Sequence, residues 1–400
     1  MIALNELYED TTASPILRRM ACGMNNVNKF GHSVAVASNG PNPMVVVGAP
    51  GYMGDTGRIY VYRHDGRQWV DVTPKGIMLG TADGGQFGYS VAIASNGIDY
   101  IVAAGSSQFE GGEGKVCIYC YDGIEWSDIT PGEGLFLYDL GSSIAIAANG
   151  TEYAIVIGAP GTNHYRGKVY VFRCRNRVWT PITPEDMMAG TVDRDQLGYS
   201  TAITAVGSGY VIAVGAPGFN GGRGKVNIYQ YDRGVWTDGT PKEELVGVSV
   251  DDRFGYSIAI TAEGIDYAVI IGAPGFNAGK GKAYVYRHTA AGWTAMMPDG
   301  MPGGQIGDRL GDSVAMITEG LHYHAIIGAP GTDEGRGRVY VYRYNGITWI
   351  DNTPSCGMVG ETIDCQYGHS VAVVSTALGT QVVVGAPRFD NKRGKAYLYK

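Results

Sequence analysis

The sequence predicts an all-β fold, a single seven-bladed β-propeller of four-stranded antiparallel blades spanning residues 1–400. Three observations predict it. A unit of about 57 residues recurs seven times, each of the first six units holds four strand-like segments, and the last unit is one strand short while the N-terminus carries a spare one.

Every unit opens on an aromatic residue or leucine followed by glycine: Phe30-Gly31, Phe87-Gly88, Leu140-Gly141, Leu197-Gly198, Phe254-Gly255, Leu310-Gly311 and Tyr367-Gly368. Successive starts lie 57, 53, 57, 57, 56 and 57 residues apart, which leaves little chain for a second domain. A glycine follows 18 residues after each opening residue. It heads Gly-Ala-Pro at Gly48, Gly158, Gly215, Gly272, Gly328 and Gly385, and Gly-Ser-Ser at Gly105. Another glycine stands 7 residues beyond each triplet, and a tryptophan follows 12 residues later in six units, from Trp69 to Trp349.

The strands follow in order. Ser33-Val34-Ala35-Val36-Ala37 typifies the first, with the small side chains that a crowded innermost strand needs. Met44-Val45-Val46-Val47 typifies the second, apolar throughout and so buried on both faces. Ile59-Tyr60-Val61-Tyr62 typifies the third, β-branched and aromatic. The fourth runs from the tryptophan to a Thr-Pro pair, as from Trp69 to Thr73-Pro74, where a missing donor suits an edge. Asp65-Gly66, Asp122-Gly123 and Asn345-Gly346 are hairpin turns between the third and fourth strands. The last unit stops at Tyr399-Lys400, after its third strand. Residues 7–12 are expected to complete that blade, because Tyr8-Glu9-Asp10-Thr11-Thr12 matches the Trp-x-Asp-x-Thr of Trp69 to Thr73.

Composition narrows the function. The 62 glycines have no collagen period and indicate turns. A net charge of −7 offers no general attraction to nucleic acid or anionic membrane. No run approaches the ~18 apolar residues of a membrane span, and the acidic start reads as no secretory leader. The expectation is a cytosolic or particle-associated protein, such as a virion component, extracellular only by another route.

The repeat resembles the FG-GAP repeat of integrin α-subunit propellers, over residues of roughly 5–400. Its best copy is Gly385-Ala386-Pro387-Arg388-Phe389 followed by Gly394-Lys395-Ala396-Tyr397-Leu398-Tyr399. The resemblance implies adhesion or assembly through the face that receives a partner subunit, where aromatics around the central opening accommodate a basic side chain. It also implies calcium loops between first and second strands. Here those loops read Ala37-Ser38-Asn39-Gly40-Pro41-Asn42 or Ala262-Glu263-Gly264-Ile265-Asp266, without the alternating carboxylates that Ca²⁺ requires, so no metal and no cofactor is expected.

No catalytic residue is assigned. The serine after each opening pair (Ser33, Ser90, Ser143, Ser200, Ser257, Ser313, Ser370) recurs without a common histidine, and reads as a turn or inter-blade hydrogen bond. His32 and His369 share one repeat position and read as polar lining. Cys117 and Cys120 stand three apart on a strand and so point to opposite faces. Cys356 and Cys365 share one loop and could pair in an oxidising compartment. A basic ring opens the third strands (Arg58, Lys115, Lys168, Lys225, Lys282, Arg338, Lys395), better explained by packing and loop carboxylates than by an anion site.

The candidate partner-binding face combines Tyr52, Phe109, Phe219, Phe276 and Phe389, two residues beyond the triplets, with the variable tip His164-Tyr165. Asp193, Asp251, Asp252 and Asp308 join it from inter-blade loops on the same edge. The reading is a non-enzymatic protein-binding or assembly scaffold. The alternative is a lectin-like propeller with glycans in the inter-blade clefts, which the differing loop tips disfavour.

Overall fold

A computed structural model describes residues 27–400 apart from 75, 110–111, 132–134, 184–187, 239–244, 298, 321, 354–357 and 378. The described residues form seven antiparallel sheets, one per repeat, numbered here as blades 1 to 7. Six have four sequential strands in the order of the chain. Blade 4 is representative, with strands Ser200–Val206, Gly209–Ala216, Lys225–Asp232 and Val235–Asp238. Blade 7 shows three strands among the described residues, ending at Lys395–Tyr399. The segment expected to complete it, residues 7–12, lies outside the described residues.

The apolar second strands are buried on both sides because each blade is sandwiched between two others. In blade 1, Met44 and Val46 enter the core shared with blade 2, whereas Val45 and Val47 enter the core shared with blade 7. The period-2 pleat thus splits one strand between two cores. The core containing Val47, Tyr62, Val383 and Leu398 closes the ring. Cys117 packs against the core on one side of blade 2 and Cys120 in the core on the other, as their spacing requires.

At the joints, all seven recurring serines donate to the carbonyl of the opening glycine in the next blade. The distances run Ser33 to Gly88 2.9 Å, Ser90 to Gly141 2.6 Å, Ser143 to Gly198 2.8 Å, Ser200 to Gly255 2.8 Å, Ser257 to Gly311 2.8 Å and Ser313 to Gly368 2.8 Å. Ser370 to Gly31, at 2.9 Å, completes the circle. The triplet glycine sits at this contact: a Cβ on Gly215 would lie 2.1 Å from the Gly255 carbonyl oxygen and 2.3 Å from Ser200 Oγ. Seven closed joints of one kind explain why the glycine recurs at fixed spacing.

Blade 2 departs from the others where Gly105-Ser106-Ser107 replaces the triplet. With no proline to end it, the second strand runs on through Tyr100–Phe109, and the further strand on the third, Leu135–Tyr138, is longer than its counterparts Met301–Pro302 and Met358–Val359 in blades 5 and 6.

Candidate functional site: the axial face

Loops between second and third strands share a face with the inter-blade loops, as backbone bonds between them show. Gln86 N donates to Asp55 O at 2.7 Å, and Lys29 N to Lys392 O at 2.8 Å across the closing joint. Each loop after a true triplet is a tight left-handed turn. Asn163 and His164, or Asn220 and Gly221, take positive φ, and Gly224 N closes the latter turn onto Phe219 O at 3.0 Å.

Tyr52, Phe219, Phe276 and Phe389 stand at the start of these turns, half-buried against the cores between blades. Each carries the basic residue of its own blade over its ring: Arg58 at 5.5 Å, Lys225 at 5.6 Å, Lys282 at 4.5 Å and Lys395 at 4.6 Å from the centroid. Each of these rings is therefore in contact with a cation of its own blade. The basic ring is accounted for likewise, since Arg338 lies over Tyr340 and Lys395 pairs with Glu361. Phe109 ends the extended strand of blade 2, and its side chain is outside the described residues.

The carboxylates divide. Asp193 and Asp251 are exposed, and Arg166, 2.6 Å away, holds the Asp193 carboxyl below its ordinary range. Asp252 and Asp308 are only 3% and 5% exposed. Asp252 Oδ2 accepts from Ser249 N at 2.7 Å, and Asp308 Oδ2 from Gln305 N at 2.7 Å. These two cap loops and offer a partner little surface. Tyr165, 52% exposed, lines a cleft of about 550 Å³ between blades 3 and 4 with Asp193, Asp195 and Asn220. Of the two cysteines in the last inter-blade loop, Cys365 is buried with Sγ donating to Arg336 O at 3.1 Å, and Cys356 is outside the described residues.

The opening itself is lined by residues at another position, between the opening glycine and the serine: His32, Tyr89, Ser142, Tyr199, Tyr256, Asp312 and His369. Each follows a turn whose first residue is left-handed in every blade: Lys29, Gln86, Asp139, Gln196, Arg253, Arg309 and Gln366, with φ from 53° to 59°. Seven non-glycine residues in this sparsely populated region mark a site whose geometry is enforced by its surroundings. Because the first strands are innermost, these side chains converge. The His32 ring lies 4.8 Å from that of Tyr89 and 4.9 Å from that of His369, and Tyr199 lies 4.9 Å from Tyr256. His369 Nδ1 stands 3.8 Å from Asp312 Oδ2, and Arg309 engages Oδ1 of the same carboxylate.

Burial dominates the electrostatics of this cup. It raises the phenols of Tyr89, Tyr199 and Tyr256, the first pushed further by Tyr256 and Asp139. It raises the Asp312 carboxyl against the opposing pull of His369 and Arg309. It lowers both histidines: His32 further, through His369 and Lys29, while Asp312 partly restores His369. At neutral pH the cup therefore presents neutral imidazoles and phenol rings, which suit an inserted cation, beside Asp312, which is paired with Arg309. The signal was present in the sequence, as the one position that changes chemistry between two that do not.

No protein-family model matches the chain. Mouse integrin alpha-X is 28% identical over 272 residues, covering 60% of this chain and 20% of that protein. Rat integrin alpha-7 is 30% identical over 184 residues, covering 43% of this chain and 16% of the relative. The chain is an integrin-α-like seven-bladed propeller. This integrin-α-like propeller spans about a fifth or less of the length of the curated relatives it matches. Among solved structures it is similar to a fucose-specific lectin from Aleuria aurantia, at 14% identity and a TM-score of 0.47 over 82% of this chain and 95% of that one. No helix among its described residues is long and apolar enough to cross a membrane.

Proposed function

We propose that the propeller is a non-enzymatic docking module of FG-GAP type, an adhesion or assembly component, whose protein partner seats on the axial face and inserts a basic side chain into the cup. The observation that carries this reading is the convergence of Tyr89, Tyr199 and Tyr256 with Asp312 at one opening. Aromatic faces attract a desolvated cation, each contact contributing about 0.5–2 kcal/mol. Exposed aliphatics on the surrounding inter-blade loops, Val192, Val250, Ile306 and Ile363, supply an apolar rim. A non-catalytic role is supported by the recurring serines, all of which are engaged at blade joints.

A photo-crosslinking residue at Tyr89 should capture the partner in its native assembly, whereas the same residue at Asp65 or Asn345, on the opposite face, should not. Capture only from Asp65 or Asn345 would move the site to the other face. A glycan-binding reading has one feature in its favour, the cleft beside Tyr165, Asp193 and Asn220, where an aromatic platform adjoins polar groups. Loss of glycan-array binding in Tyr165→Ala would support it.

A further inference from the structure

The cup is lopsided. Three phenols from blades 2, 4 and 5 form one part, and His32, His369 and Asp312 from blades 1, 7 and 6 form the other, at the seam where the ring closes. We propose that docking at this cup is gated by pH: the His32–His369 pair takes up a proton in mild acid and expels the cationic side chain of the partner. The inference rests on the cup being the docking site and adds its regulation.

The geometry sets the order of events. The two imidazoles lie 4.9 Å apart, close enough that a second proton is opposed by the first. His369 faces Asp312 at 3.8 Å, and so is the first to protonate. Arg309 engages the same carboxylate, and Arg253 also acts on it, so Asp312 is already compensated and does not cancel the new charge. His32 has His369 on one side and Lys29 nearby, with Tyr89 as its other ring neighbour. Across the opening, Tyr199 and Tyr256 remain neutral, and Asp139, bonded to Ser142 Oγ at 2.7 Å, lies on the side of blade 3. A protonated His369 therefore adds a net positive charge within the space a cation would enter.

Both histidines are held below the ordinary value of 6.5, by burial first. The gate is accordingly open at neutral pH and shuts below 6.5. Two like charges about 5 Å apart at an effective dielectric near 20 weaken binding on the order of a hundredfold. By linkage, an inserted cation lowers histidine proton affinity by the same factor.

The test uses the whole chain with histidine and tyrosine isotope labels, and acetyl-arginine amide as the probe, followed by NMR. At about pH 7.5 the probe should shift the Tyr89, Tyr199 and Tyr256 signals. As the pH is lowered through the His369 titration midpoint, read from the same spectra, its affinity should fall at least tenfold, while a His32→Gln/His369→Gln double variant should bind equally across that range. Equal binding by the unmodified chain across that range would overturn the gate and leave the cup standing. No shift of the tyrosines at any pH in it would overturn both. Imidazole titration midpoints at or above 6.5 without the probe would also overturn the gate, whatever the probe does.

Discussion

Gly215 is the position where the cost of a single methyl group can be worked from the structure. Its φ is not in the left-handed region, so alanine meets no backbone penalty there, and the whole effect is steric. The added carbon would stand 2.1 Å from the Gly255 carbonyl oxygen and 2.3 Å from Ser200 Oγ. Ordinary contact needs roughly 3.4 Å or more, so the joint between blades 4 and 5 must open by about an ångström. That movement breaks the 2.8 Å bond from Ser200 to Gly255, worth about 1 kcal/mol, and leaves its carbonyl unpaired at about 1–3 kcal/mol more. It also loosens the core that holds Val211, Ala213, Tyr267 and Val269. The expected loss for Gly215→Ala is about 3–5 kcal/mol. Ser200→Ala, which removes the donor without a clash, should lose about 1–3 kcal/mol. Urea unfolding followed by tryptophan fluorescence measures both, and the double variant should fall short of their sum, since they share one contact. If Gly215→Ala stays within about 1 kcal/mol of the unmodified protein, the blades are not locked at this contact.

Three further outcomes are expected. Deleting residues 7–12 should destabilise the ring by several kcal/mol, about 1 kcal/mol for each lost ladder bond, because in complete blades the matching threonine bonds the third strand, as Thr73 Oγ1 accepts from Val61 N at 2.8 Å. Hydrogen exchange at Leu398, the equivalent of Val61, reports this directly, and unchanged protection would exclude the pairing. EDTA should leave the melting temperature unaltered; a fall of several degrees would show that the loops between first and second strands hold calcium after all. In acid, the lowered histidines make the unfolded chain bind more protons than the folded one, so stability is present above 6.5 and is lost as pH falls through the folded values. Replacing His32 and His369 with glutamine should flatten that part of the pH–stability curve, and an unchanged slope would place the acid sensitivity elsewhere.

Much of the architecture was legible because a repeated contact leaves a repeated residue. The 18-residue interval from Phe254 to Gly272 records a fixed strand pair, and the continuous run Val45-Val46-Val47 records burial against two neighbours. The serine reading was also accessible, since a residue present in every unit serves the joint. Local side-chain geometry was harder to reach. Residue type alone does not separate Asp193 from Asp252; their place in the repeat does, since Asp195, Asp252 and Asp308 stand two residues before an opening residue and are buried, whereas Asp193 stands four before and is exposed. Tyr52 and Phe276 are prominent in the sequence because they recur, and they recur because they pack between blades. The cup position holds three tyrosines, two histidines, a serine and an aspartate, so no single type marks it, and His32 and His369 stood out only as a pair. What unites all seven is a left-handed residue three positions earlier, which no side-chain pattern reveals when it falls on lysine, glutamine, aspartate or arginine.

The serine-to-glycine bonds all run in one rotational sense. A blade excised from the ring would present an unused hydroxyl on one flank and an unused carbonyl on the other, and so would any run of consecutive blades. Such a fragment has complementary, non-identical ends, and its copies can associate head to tail until the turn per blade brings the series back on itself. Two chains of partial length that together supply seven blades should thus build one annulus, whereas fragments of mismatched number should form open chains. The starting point of the polypeptide holds no privileged place in this circuit, so new termini introduced at an inter-blade loop should yield a circular permutant with every joint intact.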